Sequence, residues 1–185
     1  MKHFTADTSH RSYSRKSVGN KRPVSRSRSV RLELSAGGVV VRQQGQLWLV
    51  ALLKTVHKRG EVWVLPKGHV ELAAGEKVSD AARREVEEEA GLRDLSVKNQ
   101  LGITRFTFQA EAAVVKKTVH YFLMVTQQKK LIPQADEGLI DAQWFTFDQA
   151  RENLAYDTDR DIVARAEQTV TKQPRTRPRV PRIHR

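Results

Sequence analysis

The stretch from Leu65 to Leu92, LPKGHVELAAGEKVSDAARREVEEEAGL, limits what this chain can fold into more than any other part of it. It opens with a turn, Pro66-Lys67-Gly68, that closes an apolar run, and continues as a loop ending at Gly75-Glu76. A helix of about four turns follows. It carries Arg84, Glu85, Glu87, Glu88 and Glu89 and stops at Gly91, the residue type favoured just past a helix end.

Glu85, Glu88 and Glu89 stand at i, i+3 and i+4, so they share one helix face. At roughly 100° per residue, that face borders the apolar stripe Val78, Ala82, Val86 and Ala90 and lies at the edge of the core. Like charges so spaced repel and weaken a helix by roughly 0.3 kcal/mol per pair. Half-buried, they call for a cation between them. A hard divalent ion, Mg²⁺ or Mn²⁺, suits oxygen ligands and keeps several of its waters. Arg84 can brace one carboxylate, and Glu76 stands at the helix entrance as a fourth. The alternative is a solvated acidic face, which is what most Glu runs are.

The surrounding residues favour the metal. Arg84-Glu85-Val86-x-Glu88-Glu89-x-Gly91-Leu92, preceded by Glu76 and Gly68, resembles the signature of the Nudix hydrolases, Gly-x5-Glu-x7-Arg-Glu-apolar-x-Glu-Glu-x-Gly-apolar. Every specified residue is present. One spacing departs: seven residues rather than five separate Gly68 from Glu76, because Leu72-Ala73-Ala74 stands where one residue is common. The longer loop bears on any backbone ligand near Lys67 and Gly68 and leaves the helix untouched. Outside this box, SAGGVVV at 35–41, WVLPKGHVE at 63–71, KTVHYFLM at 117–124 and the DEG…WF pattern at 136–145 look like one branch of the family. That branch cuts dinucleoside polyphosphates, such as diadenosine tetra- to hexaphosphate, and related inositol pyrophosphates.

The resemblance implies a pyrophosphohydrolase that uses Mg²⁺ or Mn²⁺. Water attacks a phosphorus and a phosphate leaves from the other side, with metal ions polarising the phosphate and acidifying bound water. It implies Glu85, Glu88 and Glu89 as metal ligands, with the backbone at Gly68 beside them; Glu88 or Glu89 could instead orient or deprotonate the water. Arg84 braces the carboxylates, and Glu76 supports the helix entrance. Glu137 is a further candidate base, set against an ordinary exposed loop acid. A substrate with several phosphates needs cations away from the metal. Lys67, Arg105 and Lys117 are the expected partners, with His69 and His120 behind them, each weighed against plain surface charge or, for His120, a hydrogen-bonded core histidine.

The remaining elements read as an α/β layered domain. Strands are expected around Leu32–Arg42, Leu47–Leu53, Val62–Leu65, Leu95–Phe108, Val114–Gln127 and Ala142–Phe145, with a polar loop over Thr55–Gly60. Short and closing helices are expected over Phe147–Leu154 and Asp157–Thr171, the latter from Ile162, Val163, Ala166 and Val170 at helical spacing. This agrees with the α/β/α sandwich and mixed central sheet that the resemblance implies.

Charge divides the chain into three parts. The net charge is +12, yet residues 1–31 hold nine Lys/Arg against Asp7 alone, and residues 172–185 hold six and no acid. The core, 32–171, keeps 18 basic and 20 acidic residues, a net of −2. Both ends are too poor in large apolar residues to offset their ordering entropy, so both are expected to be disordered tails. Such tails bind nucleic acid or other polyanions weakly, or merely solubilise, or, for the first, act as a transit peptide. With no Cys, no apolar run of about 18 residues and no hydrophobic signal core, a cytoplasmic protein is expected. Two other readings stay open: an oxidised-nucleotide or RNA 5′ pyrophosphohydrolase, and a non-catalytic RNA- or ribosome-binding domain.

Overall fold

The structure, a computed structural model, describes residues 29–57, 60–110 and 113–172. Seven strands form one mixed sheet. Five of its pairings are antiparallel and one, β1 with β6, is parallel, and the exceptions to simple pairing are what create the site. β1 (Ser29–Gln44) turns at Gly45 into β2 (Leu47–His57), with Val41 opposite Val50. β2 pairs antiparallel with β3 (Gly60–Val64), and β3 leads through Pro66 to the short β4 (Lys67–His69). β5 (Ser96–Ala110) and β6 (Ala113–Val125) form an antiparallel pair, and β6 lies parallel to β1 along its whole length. β7 (Leu139–Thr146) covers the other side of β2.

β1 changes partner midway. Its C-terminal end pairs with β2, but from Gly37 back to Ser35 it pairs antiparallel with β4. The Gly38 N–H donates to the Pro66 carbonyl at 3.1 Å where the two partners part. That fork brings the Pro66-Lys67-Gly68 turn beside the middle of the sheet.

Strand alternation divides the core into two layers. Val39, Val41, Leu52, Val119, Tyr121 and Leu123 face one side and pack under α2 (Phe147–Asn153) and α3 (Asp157–Lys172). Ala36, Val40, Ala51, Leu53 and Met124 face the other and pack under α1 (Val78–Ala90), through its Ala82, Val86 and Ala90. Helices thus cover both faces of a mixed sheet, the expected α/β/α sandwich. α2 starts at a capping box: Thr146 Oγ1 accepts from the Gln149 N–H while the Gln149 side chain accepts from the Thr146 N–H.

Three boundaries differ from expectation. Of the expected loop over Thr55–Gly60, Thr55–His57 continue β2 and Gly60 opens β3; just before them Lys54 ion-pairs with Glu61 across the ladder at 3.0 Å and sits 5.1 Å over the Trp63 ring. β1 begins at Ser29, so residues 29–31, assigned to the first tail, pair with β6. Val30 and Leu32 stay more than half exposed there, so no burial pattern marked the strand. At the other end Lys172, assigned to the second tail, closes α3. The rest of both tails lies outside the described residues. Among the described residues no helix is long and apolar enough to cross a membrane.

Candidate active site

α1 lies against β1 and β4 with Glu85 and Glu89 on its buried side, 6% and 9% exposed. The fit depends on Gly68. A Cβ there would stand 1.8 Å from a Glu85 carboxylate oxygen, so any other residue would push the carboxylate out. One residue earlier the Lys67 N–H donates to Glu89 Oε2 at 2.8 Å. The fork in the sheet therefore supplies both the space and a hydrogen bond for the two buried acids.

Glu137 joins them from far along the chain. The segment after β6 crosses the C-terminal end of α1, where the Ile132 N–H donates to the Ala90 carbonyl at 2.9 Å and the Gln134 N–H to the Glu89 carbonyl at 3.2 Å. These bonds satisfy carbonyls that a helix end leaves open. A 3₁₀ turn, Ala135–Glu137, then brings Glu137 to the site. Oxygens of Glu85, Glu89 and Glu137 all lie within 4.8 Å of one another.

Glu88 lies elsewhere. It is exposed and held by Arg84 Nη1 at 3.0 Å, outside the cluster of three. Arg84 is the hub of the outer layer. Its Nε and Nη2 donate to the two Glu76 oxygens at 2.8 and 3.1 Å, Nη1 also reaches Glu85 at 2.7 Å, and Nη2 donates to the His69 carbonyl at 2.8 Å. The two extra loop residues are absorbed in an exposed 3₁₀ turn, Leu72–Ala74, that ends at Gly75. Its base is closed by the Glu71 N–H donating to Glu76 Oε2 at 2.9 Å, so Glu76 still meets Arg84.

Electrostatics separate these carboxylates. Burial pushes Glu89 up to about 7, helped by the charges of Glu85 and Glu137 and opposed by Lys67. Burial also raises Glu85 against the pull of Arg84. Glu76 goes the other way, lowered by its hydrogen bonds from Arg84. Three acids brought together, two of them costly to ionise, form a hard oxygen donor set that fits Mg²⁺ or Mn²⁺.

The expected phosphate-binding cations are divided by the sheet. Lys67 pairs with Gly37, and Lys117 with Glu33, so both lie on the α3 face with His69. Glu33 gathers them, lying 3.7 Å from Lys117 Nζ and 3.5 Å from His69 Nε2, with Arg31 at 2.8 Å. Burial and then the charge of Lys67 lower the Lys117 pKa. Burial alone would raise Glu33, but Lys117, Arg31 and His69 outweigh it and leave the carboxyl below its ordinary value. Arg105 pairs with Thr118 and lies on the opposite face with His120. Burial and then the charge of Arg105 lower the His120 pKa, and its Nδ1 lies 3.3 Å from the Gln100 amide. Arg105 and Lys117 both border a groove of about 670 Å³, but from opposite faces of their strands.

On the Lys117 face stands a feature that residue chemistry alone did not mark as functional. Phe106 pairs with Lys117, and Phe106 and Phe108 are each 41% exposed with ring centroids 6.2 Å apart. Alternation along the chain puts the two rings on a shared face; only the β5–β6 register shows that it is the face of Lys117.

A buried carboxylate helix seated on a glycine at the fork of a mixed sheet is the arrangement of a Nudix domain, and the NUDIX domain family matches residues 31–166. The chain belongs to the Nudix family of pyrophosphohydrolases, which generally use divalent metal ions. Among curated proteins it is 35% identical over 172 residues to one from Mycobacterium tuberculosis (strain CDC 1551 / Oshkosh) named "Putative mutator protein MutT4". The alignment covers 91% of this chain, and the chain spans 66% of that relative's length. Among solved structures, the C. elegans Ap4A hydrolase in a binary complex aligns with 75% of this chain and 98% of its own, at 21% identity and a TM-score of 0.61. The E. coli dihydroneopterin triphosphate pyrophosphohydrolase aligns with 76% and 98%, at 19% identity and 0.59. At these identities the structural likenesses establish the fold.

Proposed function

We propose that this protein hydrolyses a pyrophosphate bond in a nucleoside-diphosphate-linked substrate, a dinucleoside polyphosphate foremost, with Mg²⁺ or Mn²⁺ held by Glu85, Glu89 and Glu137. The observation that carries the reading is the convergence of those three carboxylates within 4.8 Å beside the Lys67 N–H. A divalent ion held there supplies positive charge to the phosphoryl oxygens and acidifies a bound water.

The chain's own residues do the rest. Lys67 and Lys117 neutralise phosphates further along the substrate, on the face where Phe106 and Phe108 offer an aromatic surface for a nucleobase. Glu89, in the middle of the carboxylate cluster, is placed to orient the attacking water or take up the proton it gives up. Arg84 fixes Glu76, Glu85 and Glu88 and so holds α1 in register with β4. As the water oxygen bonds to phosphorus, the bond from that phosphorus to the bridging oxygen breaks, and two phosphorylated products leave.

A second reading, hydrolysis of oxidised nucleoside triphosphates, is favoured by the relative named as a mutator protein. One panel decides between them. Diadenosine tetra-, penta- and hexaphosphate, 8-oxo-dGTP and a 5′-triphosphate RNA are offered with Mg²⁺ or Mn²⁺, and products are resolved by ion exchange. Preference for the dinucleotides, with ATP among the products, is expected. Preference for 8-oxo-dGTP or for RNA overturns the substrate assignment, and no turnover of any of them overturns the reading as a whole.

A further inference from the structure

Asp159 is a buried acid, 4% exposed, in the first turn of α3, and nothing in the reaction outlined above uses it. Its surroundings link it to Lys67. Gly37 on β1 pairs with Lys67 on one side and with Tyr121 on the other, so Lys67, Gly37 and Tyr121 form one row across three strands, on one face. A Cβ on Gly37 would lie 2.5 Å from the Lys67 Cβ and 2.2 Å from the Pro66 carbonyl oxygen. The Lys67 stem therefore occupies the space that a side chain at Gly37 would fill. The row continues to Gly102 on β5, where α3 presses so close that a Cβ would meet Ile162 and Arg165 at 2.9 and 2.5 Å. At this crossing the Tyr121 hydroxyl donates to Asp159 Oδ1 at 3.2 Å.

Lys67 thus stands between two acids. Glu89, on the metal side, takes its backbone N–H. Asp159, on the α3 side, is fixed by Tyr121, and the Lys67 charge acts on both carboxylates. A lysine ammonium on a flexible stem goes to the nearest fixed counter-charge. With Glu89 alone, it would compete for the carboxylate that the divalent ion needs. We propose that Asp159 is a positioning residue for Lys67: held by Tyr121, it draws the ammonium away from Glu89 and keeps it over Gly37, available to substrate phosphate. This rests on Lys67 being a phosphate contact, as proposed above.

The test uses the full-length protein and inorganic tripolyphosphate, with binding measured by titration calorimetry in the absence of divalent metal. Lys67→Ala and Asp159→Asn are each expected to weaken binding by about fivefold, the size of a typical coupling between neighbouring charged groups, and the double variant to bind no worse than Lys67→Ala. With diadenosine tetraphosphate and Mg²⁺, Asp159→Asn is expected to raise KM by a similar factor and leave kcat within about twofold. Tyr121→Phe keeps the ring, frees the carboxylate and is expected to fall between wild type and Asp159→Asn; it also serves if Asp159→Asn fails to fold. Binding that is unchanged or tighter in Asp159→Asn overturns the proposal, since loss of a negative charge by itself favours anions. So does a double variant in which the two losses multiply, the sign of an independent structural effect. If Lys67→Ala itself leaves tripolyphosphate binding unchanged, Lys67 is no phosphate contact and the proposal falls with that assignment; a loss in Lys67→Ala without one in Asp159→Asn overturns the positioning role alone.

Discussion

Glu89 is the residue on which the site turns, because its environment asks for two opposite things. Burial favours the protonated acid, while the proposed chemistry needs a carboxylate beside a cation. An acid whose folded pKa of about 7 lies above the 4.5 of a free glutamate holds its proton more tightly when folded. In the metal-free protein the stabilisation from Glu89 should therefore be fully present below pH 4.5 and be lost, about 3 kcal/mol of it, as pH rises from there through 7. Glu85 and Asp159, both raised, act in the same direction; His120, lowered, acts in the other direction below its ordinary 6.5. Chemical denaturation at pH 5 and pH 8 measures the difference, and equal stability at the two would contradict it. Glu89→Gln should remove the Glu89 share of this dependence, making the metal-free protein more stable at pH 8, while turnover falls by about 10³. A variant that kept its activity would remove Glu89 from the chemistry.

At the scale of elements, α1 and the loop before it hold the site together through Arg84. Arg84→Ala would leave Glu76 without either of its two charged hydrogen bonds and Glu85 buried beside its like-charged neighbours. We expect a loss of about 2 kcal/mol in stability, read by urea denaturation, together with weaker metal binding. Deleting Ala73 and Ala74 is the contrasting case. Those residues sit in an exposed turn whose base is closed by Glu71 and Glu76, so activity should stay within about twofold and stability within about 0.5 kcal/mol. A collapse of turnover would show that the turn shapes the site. α1 was legible because a helix writes its faces at fixed spacing: the apolar stripe, Glu85 and Glu89 on its flank, and Gly91 at its end are all local signals. Glu137 was legible only as a loop acid, since its place depends on Ile132 and Gln134 bonding to the end of α1 more than forty residues back. Glu88 read as the equal of Glu85 by spacing, yet Arg84 draws it outward.

For the whole molecule, register decides which residues meet, and register is the part of a sheet that sequence conveys least. Lys67, Arg105 and Lys117 read alike as cations near a cleft, and only the pairing of β4, β1, β6 and β5 assigns two to one face and the third to the other. Lys117→Ala should accordingly raise KM for diadenosine tetraphosphate by about tenfold, and Arg105→Ala by less than about twofold. Equal effects would mean that substrate reaches Arg105 as closely as Lys117. Removing residues 1–28 and 173–185, which carry the whole excess of positive charge, should leave small-molecule turnover unchanged and weaken any salt-sensitive binding of RNA. The claim that ties these scales together is that acids from two distant segments close around one divalent ion. The direct measurement is an anomalous difference map, at the manganese edge, of crystals grown with Mn²⁺. A peak about 2.2 Å from carboxylate oxygens of Glu85, Glu89 and Glu137 is expected. A peak on Glu88 without Glu137, or none near α1, would contradict it.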